Sequence, residues 1–376
     1  MIAMGTKKTQ FPQDSARKVL NEFSPYIPGK SLEEIKEKYG LDKVIKLASN
    51  ENPHGPSPKA VKKLTDNKDI HLYPQKSYQN LQSKISQKLG TNPGQVIIGN
   101  GSDEIIKLLA AAFINPGEEG LMADITFPIY KMAVKELDGK VTHIPLKKYT
   151  HDIDQFIAQI TDNTKLIFIC NPNNPTGSII THEEAEKLLS SVSKDTIVVF
   201  DEAYREYVTN PEFPKTEMLV DKYPNLIALR TFSKIYGLAA LRVGYGIGSE
   251  KLIEVLHKVK LPFNVNELGL RAAQEALDDT EHLNYSKEQN DQGKKWLESK
   301  LKSSKFFSPV PSQANFLLVK TEFDAEKLAG ELLKQGVIIR EGTSFGMPDH
   351  FRITIGSKSD NEFFIEKLSN CEVNLK

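Results

Sequence analysis

Short apolar runs alternate with amphipathic stretches between about residues 96 and 261, and this alternation constrains the fold more than any other feature of the chain. Helical periodicity separates several of the runs, as at 103–113 and 181–192. Runs rich in Ile and Val that alternate with helices are typical of a mostly parallel sheet covered on both faces. The sequence therefore predicts an α/β large domain with a seven-stranded sheet, its strands at 95–99, 119–123, 140–144, 165–170, 196–200, 225–230 and 242–248.

The C-terminal part has a different pattern, typical of a smaller α+β domain. A long polar helix is predicted at roughly 266–300, and a second helix near 325–335 lies among short strands at 315–320, 337–340 and 351–355. The first 45 residues contain SPYIPGK and a short amphipathic helix, which we expect to form an arm joined to the small domain. The predicted division is an arm at 1–45, a large domain at 46–262 and a small domain at 263–376.

Charge and cysteine content exclude several classes of function. The 376 residues include 49 basic and 49 acidic side chains, so nothing attracts the whole chain to nucleic acid or to an anionic membrane. Two cysteines, Cys170 and Cys371, cannot form a disulfide framework, and the eight histidines lack the spacing of metal ligands. Neither a secretory signal nor an apolar run of about 20 residues is present. We therefore expect a cytoplasmic protein without a metal site, which recognises charged ligands only locally.

Polar residues follow several predicted strands at the point where each strand ends. Asn174 lies in NPNNPTG after one strand, and Asp201 opens DEAY after the next. Lys234 lies in TFSK after a third, and Arg242 begins the strand that follows. Ligands of open α/β sheets bind outside the carboxyl ends of the strands, so these side chains predict one common site.

The chemistry of these groups indicates a particular ligand. The turn NGSDE opens a helix whose backbone N–H groups, from Ser102 onward, suit a phosphate, as do Arg242 and Ser233. A partly desolvated lysine near other cations has a lowered pKa and becomes an amine nucleophile, which is the role predicted for Lys234. The Asp201 carboxylate could hold a protonated pyridine nitrogen. Phosphate, aldehyde and pyridinium together describe pyridoxal 5′-phosphate (PLP).

Each of these features alone has a simpler explanation. A single lysine in a loop is usually solvated, a single Asp after a strand is usually a turn or helix cap, and NPNNPTG could be a plain turn. GNGSDE also lacks the third glycine of a dinucleotide-binding turn. The joint order of Asn174, Asp201, Lys234 and Arg242 at strand ends favours the common site.

Several motifs occur along nearly the whole chain in the same order as in a known protein family. The chain resembles the fold-type-I PLP-dependent aminotransferases and, within them, the histidinol-phosphate aminotransferases. TFSKIYGLAALRVGY matches the family's lysine signature and is highly specific, whereas the shorter motifs are weak singly. These shorter motifs appear in the family's order as SNENPHGPSP, YP, NGSDE, NPNNPTG and DEAY.

The resemblance implies roles for the residues that contact the cofactor. Lys234 resembles the lysine that forms the Schiff base, and Asp201 the partner of the pyridine nitrogen. Asn174 and Tyr204 resemble the partners of the ring hydroxyl. The positions that match phosphate contacts of the family are Ser102, Asp103, Ser233 and Arg242.

Further matches imply a substrate site and a dimer. Tyr73 matches a tyrosine that reaches the phosphate from the other subunit, which implies a homodimer. Phe127 matches the aromatic residue that stacks on the cofactor ring, where many relatives have Tyr. Arg340 and Arg352 match arginines that bind the substrate anion, and Tyr26 matches a substrate contact from the N-terminal arm.

The resemblance implies transamination of histidinol phosphate with 2-oxoglutarate, a step of histidine biosynthesis that yields imidazole-acetol phosphate and glutamate. Lys234 would act as general base and acid, with Asp201 and Tyr204 as its catalytic partners. Three alternatives share the cofactor residues. They are an aromatic amino acid aminotransferase, a lyase similar to threonine-phosphate decarboxylase, and a PLP-binding regulatory protein without activity.

Overall fold

A computed structural model describes residues 16–23, 32–66 and 70–375, with side chains as far as 372. Its largest sheet has seven strands in the order β2-β8-β7-β6-β5-β3-β4. All neighbouring strands run parallel except β8, which is antiparallel to β2 and β7. The predicted α/β class with a mostly parallel seven-stranded sheet is therefore confirmed. The strands are β2 Val96–Gly99, β3 Glu119–Ala123, β4 Lys140–Ile144, β5 Thr164–Cys170, β6 Ile197–Asp201, β7 Leu226–Thr231 and β8 Gly244–Gly248.

Helices cover both faces of this sheet because its central strands are apolar on both sides. In β6, Val198 and Phe200 face one apolar cluster, while Ile197 and Val199 face the other. The helices that complete the two layers and connect the strands are α2 Pro58–Thr65, α3 Gln75–Leu89, α4 Ser102–Phe113, α5 Ile129–Lys135, α6 Ile153–Ala158, α7 His182–Ser191, α8 Glu250–Val259 and α9 Glu267–Asp278.

A second, smaller unit has its own sheet and core. Four antiparallel strands lie in the order β12-β13-β10-β9, and a separate parallel pair joins β1 to β11. The strands are β1 Ile45–Lys46, β9 Phe307–Pro309, β10 Phe316–Thr321, β11 Val337–Ile338, β12 Arg340–Glu341 and β13 His350–Thr354, with helices α1 Leu32–Tyr39, α10 Thr280–Lys302, α11 Ala325–Lys334 and α12 Lys358–Leu375. Of the described chain before β1, α1 packs on α11 of this unit. Residues 16–23 contact the large unit instead, where Arg17 pairs with Asp138 and Glu22 pairs with Lys135 of α5. The domain boundaries themselves stay a prediction.

The structure corrects two predicted elements of the C-terminal part. The strand predicted at 337–340 is two strands, because β11 pairs with β1 whereas β12 pairs with β13. The helix predicted at 266–300 is two helices, because Asp279 leaves the helical range at φ −85° and ψ 71°. The Asp279 carboxylate accepts from the backbone N–H of His282 and from Ser57 Oγ at 2.6 Å, so it caps α10 and holds the segment before α2.

Among the described residues, no helix combines the length and the apolarity that crossing a membrane would require.

Replacing Asp279 by Ala tests the break between α9 and α10. The variant loses an N-cap and a buried hydrogen bond to Ser57, so the free energy of unfolding should fall by about 1–2 kcal/mol, measured by urea denaturation. The matched control is Asp278→Ala, since Asp278 is 56% exposed and forms a surface ion pair with Lys84. It should change the free energy by less than about 1 kcal/mol. Equal effects of the two variants would contradict the proposed cap.

Candidate functional site

A cavity of about 260 Å³ opens at the carboxyl ends of β5, β6 and β7, where the small sheet faces the large one. Side chains from distant parts of the sequence line it together. Of the predicted site residues, those lining the cavity are Ser102, Asp103, Phe127, Asn174, Asp201, Tyr204, Ser233, Lys234, Arg242, Arg340 and Arg352. The predicted substrate contact Tyr26 lies outside the described residues. Tyr73 lies on the surface, away from this cavity.

Asp201 is the last residue of β6, and its carboxylate is buried at the bottom of the cavity. The Tyr130 hydroxyl donates a hydrogen bond to Oδ2 at 2.7 Å, and the backbone N–H of Ala203 donates one to Oδ1 at 3.2 Å. Burial raises the pKa of Asp201 to about 6, although the hydrogen bond from Tyr130 acts in the opposite direction. The group is therefore mostly ionised at neutral pH and offers a negative charge to a cationic partner.

Lys234 follows β7 by three residues and points into the same cavity. Its Nζ lies 3.4 Å from the carbonyl oxygen of Ser49 and 5.5 Å from the ring centre of Tyr204. Burial, followed by repulsion from Arg352, lowers the pKa of Lys234 to about 8. A substantial neutral fraction of this amine is consequently available near neutral pH, which is what a nucleophile or a general base requires.

Donors suited to an anion converge at one end of the cavity. Helix α4 begins at Ser102, directly after Gly101 in the left-handed region at φ 75°. Arg242 also has a positive φ of 55°, and its guanidinium lies 3.1 Å from Asp103 Oδ2 and 3.4 Å from Ser233 Oγ. The helix end, the hydroxyl and the guanidinium match the donor set that binds a phosphate dianion.

Gly244 explains how β8 passes so near this helix end. A Cβ atom at Gly244 would lie 2.4 Å from the backbone nitrogen of Ser102, so only glycine fits. This is a physical reason for the glycine-rich segment that follows Arg242. Strand β8 itself begins at Gly244, so Arg242 precedes the strand instead of beginning it.

The opposite wall is formed by the small sheet. Arg352 of β13 is buried, with Nη1 2.6 Å from Asn174 Oδ1 and Nη2 2.5 Å from the carbonyl oxygen of Ala48. Its guanidinium carbon lies 5.4 Å from the ring centres of both Phe316 and Phe345, so the group makes cation–π contacts with two aromatic rings. Arg340 faces it across the β12–β13 pair and also lines the cavity.

Phe127 and Tyr73 occupy very different surroundings. Phe127 lines the cavity, and its ring packs edge-on against Tyr130 at 5.6 Å. Tyr73 is 78% exposed and stacks on the exposed ring of Phe263 at 4.4 Å. The roles assigned to both residues from the sequence stay predictions.

Sequence reasoning missed residues that complete the site. Tyr130 lies in TFPIY, one helical turn after Phe127, and Asn50 lies in SNENPHGPSP, where its side chain donates to the Tyr204 hydroxyl at 3.0 Å. Both motifs were recognised, but neither residue was given a role. Their contacts connect positions 71 and 154 residues apart, and no local pattern reveals such pairs. Phe345 was missed for a different reason, since it lies only seven positions from Arg352 and their contact depends on how the intervening loop folds over the small sheet.

Within the part of the chain that the structure describes, no group of three or more His, Cys, Asp or Glu side chains is placed to hold a metal ion.

Comparison with known proteins identifies the class and then the family. The family described as "Aminotransferase class I and II" matches residues 42–368, so the chain belongs to the class I and II aminotransferases. It is 47% identical over 357 residues to a histidinol-phosphate aminotransferase of Caldicellulosiruptor saccharolyticus, covering 94% of this chain and 98% of that protein. The corresponding protein of Moorella thermoacetica is 44% identical, with 94% and 92% covered. The chain is thus a member of the histidinol-phosphate aminotransferase family.

Solved structures support the same fold. The histidinol-phosphate aminotransferase of Sinorhizobium meliloti, in complex with pyridoxal-5′-phosphate, has a TM-score of 0.87 at 25% identity and covers 96% of this chain and 100% of that one. An aspartate aminotransferase of Thermotoga maritima has a TM-score of 0.81 at 21% identity, covers 95% and 100%, and supports the fold alone. The predicted fold-type-I architecture is confirmed, and so is the predicted cofactor at the level of the class, because these aminotransferases use PLP.

The surroundings of Lys234 predict its titration. Competitive labelling of the apoprotein with acetic anhydride, which modifies only neutral amines, should give a midpoint at pH about 8 for this lysine. Because a neighbouring cation disfavours the charged amine, Arg352→Met should move the midpoint upward. The control Lys320→Met removes an exposed cation from the same small sheet and should leave the midpoint in place. A midpoint near the ordinary value of about 10.4 in the unaltered protein would contradict the prediction.

Proposed function

We propose that this chain binds PLP in the cavity between its two sheets and transfers the amino group of histidinol phosphate to 2-oxoglutarate, producing imidazole-acetol phosphate and glutamate for histidine biosynthesis. The observation that carries the proposal is the convergence of Lys234, Asp201 and the anion site of Arg242 in one cavity. Membership of the histidinol-phosphate aminotransferase family supports the substrate.

The residues of the cavity fit the cofactor at each of its polar groups. When bound, PLP supplies an aldehyde that condenses with amines and a ring that accepts the electron pair left by a broken Cα–H bond. Ser102, Asp103, Ser233 and Arg242 would surround the phosphate, with Asp103 orienting the guanidinium through their contact at 3.1 Å. Asp201 would hold the protonated ring nitrogen. Phe127 would lie against the ring, and Asn174 and Tyr204 would bind the ring hydroxyl.

Lys234 would serve twice at the same position. Its Nζ would hold the cofactor at the aldehyde carbon, and as a free amine the same group would accept and return the proton at substrate Cα. Both roles need an amine that gains and loses a proton near neutral pH. The lowered pKa of about 8, caused mainly by burial, supports this assignment.

Arg352 would recognise the anionic end of the substrate. A guanidinium forms two parallel hydrogen bonds to a phosphate or carboxylate, and the rings of Phe316 and Phe345 restrict the plane in which it can do so. Arg340, opposite Arg352 in the sheet, adds a second positive charge. Tyr26 would complete this site from the N-terminal arm.

Two other activities would use the same cofactor residues. An aromatic amino acid aminotransferase would share every cofactor contact, so only substrate charge distinguishes it. A lyase is the second candidate, since the L-threonine-O-3-phosphate decarboxylase of Porphyromonas gingivalis has the same fold at a TM-score of 0.77, but its 21% identity supports the fold alone. A lyase would not convert its cofactor to the pyridoxamine form with an amino donor.

Steady-state kinetics with 2-oxoglutarate as acceptor test the substrate. Histidinol phosphate should give the highest kcat/KM, while histidinol without its phosphate should be a very poor donor. Because charge-assisted hydrogen bonds contribute about 1.5–3 kcal/mol each, Arg352→Ala should lower kcat/KM for histidinol phosphate by roughly tenfold or more. The control Lys320→Ala removes an exposed cation from the same sheet and should change little. The assignment fails if histidinol reacts as well as its phosphate, or if phenylalanine clearly exceeds both.

We also propose a homodimer, supported by an exposed apolar patch. The patch contains Ile70, Leu72, Tyr73, Leu261 and Phe263, whose exposed fractions are 69%, 59%, 78%, 70% and 48%. Contiguous apolar surface of this kind marks an interaction site on a water-soluble chain. A second copy covering the patch would bury these side chains and bring each Tyr73 toward the phosphate site of its neighbour.

Mixing two inactive variants tests whether the two chains share sites. Lys234→Ala chains should be inactive for lack of the amine, and Tyr73→Ala chains should lose activity if Tyr73 completes the neighbour's phosphate site. A mixed dimer then contains one site with both native residues, so mixing should restore part of the activity. An active monomer observed by light scattering would contradict the shared site.

We place the enzyme in the cytoplasm. Both cysteines, Cys170 and Cys371, are buried as free thiols, which suits a reducing compartment.

A further inference from the structure

Tyr130 lies behind the candidate cofactor site, where it contacts Asp201 and not the open cavity. It belongs to α5 and is fully buried. Its ring stacks on Phe168 at 4.8 Å with an interplanar angle of 10°, and Phe127 packs against it edge-on. The ring is therefore fixed from two sides, and its hydroxyl is directed at Asp201 Oδ2 at 2.7 Å.

The carboxylate of Asp201 is held at both oxygens but is not neutralised. Oδ2 accepts from Tyr130, and Oδ1 accepts from the backbone N–H of Ala203. Within the described residues Asp201 forms no ion pair, and burial is the main reason why its pKa is raised. The titratable groups that interact with it are acidic or weakly acidic, namely Asp103 of α4, Cys170 of β5, Glu202 and Tyr204 of the segment after β6, and Tyr130 of α5. The cations Lys234, Arg242 and Arg352 line the same cavity.

We propose that Tyr130 is a positioning residue that sets the orientation and the basicity of Asp201, and thereby how firmly a cofactor ring nitrogen beside Asp201 keeps its proton. The proposal rests on the proposed function, since it assumes PLP in this cavity. It goes beyond that function by assigning the property to a residue that contacts neither the cofactor nor the substrate.

The physical reason is the direction of the hydrogen bond. A phenol that donates to an ionised carboxylate stabilises the charged form and makes the carboxylate less basic. Without this donor, the buried carboxylate binds a proton more tightly and takes it from a neighbouring pyridinium more readily. The ring would then spend more time neutral and would accept electrons less well. The fixed ring of Tyr130 also prevents the carboxylate from rotating away from its partner.

The test uses Tyr130→Phe, which removes only the hydroxyl and retains the stacked ring. The first measurement follows the carboxyl carbon of Asp201 by ¹³C NMR in the full-length apoprotein, assigned by its disappearance in Asp201→Asn. The Asp201 carboxyl should titrate at pH about 6 in the unaltered protein. It should titrate about one to two pH units higher in Tyr130→Phe, the shift expected when a hydrogen bond to a charged group is lost.

The second measurement is the dissociation constant of PLP between pH 5.5 and 9 by equilibrium dialysis. We use a Lys234→Ala background so that covalent bonding does not contribute. Tyr130→Phe should weaken PLP binding about two- to tenfold near pH 7, because a pKa raised by one to two units leaves less of Asp201 ionised there. In the Asp201→Asn background the same change should have little effect, because the group through which Tyr130 acts is absent.

A control variant separates this role from a purely structural one. Tyr245 is a buried tyrosine of β8 that packs on Phe232, so Tyr245→Phe should move neither the titration nor the PLP affinity. An unchanged Asp201 titration in Tyr130→Phe would overturn the proposal, as would an equal loss of PLP affinity in both the Asp201 and the Asn backgrounds. Failure of the parent protein to bind PLP would contradict the proposed function, while the NMR titration would still decide the effect of Tyr130 on Asp201.

Discussion

The parallel pairing of β5, β6 and β7 is the constraint on which the rest of the site depends. The register sets Cys170 opposite Asp201 and Asp201 opposite Leu229, so β5 and β6 end at one level and β7 continues for two more residues to Thr231. Every functional group that follows one of these strands therefore lies at the same edge of the sheet, although long segments of chain separate one strand from the next. The apolar runs that form the strands thus determine where the polar residues after them meet.

A buried network of ions stabilises this edge from behind. Directly after Asp201, the fully buried Glu202 pairs with Arg230 of β7 at 2.9 Å and accepts from Thr216 at 2.7 Å. Arg230 also binds Glu217, so the segment that carries Tyr204 is tied to the neighbouring strand. Removing one member of such a pair leaves a buried charge without its partner, which typically destabilises by about 3–5 kcal/mol. The network thus holds in place the loop that carries Tyr204 into the cavity.

The sequence predicted the fold and the groups at strand ends, but not the contacts between distant segments. Alternating apolar runs located the seven strands of the large sheet, and the residues after them included Asp201 and Lys234. Periodicity carries no information about which helix packs on which strand end, so the hydrogen bond from Tyr130 to Asp201 was not foreseen. The break at Asp279 was missed for a related reason: the residue leaves the helix to bind Ser57, which lies 222 positions away.

The electrostatics of the cavity follow from one physical cause acting on two groups of opposite charge. Burial disfavours ionisation of both, so it raises the pKa of Asp201 to about 6 and lowers that of Lys234 to about 8. The two values lie on either side of neutral pH. The carboxylate can therefore remain ionised while the amine exchanges its proton at little free-energy cost. Separate elements adjust each pKa further. The hydrogen bond from Tyr130 lowers the pKa of Asp201, and the charge of Arg352 lowers the pKa of Lys234. The cavity thereby combines a stable negative charge at Asp201 with an exchangeable proton at Lys234.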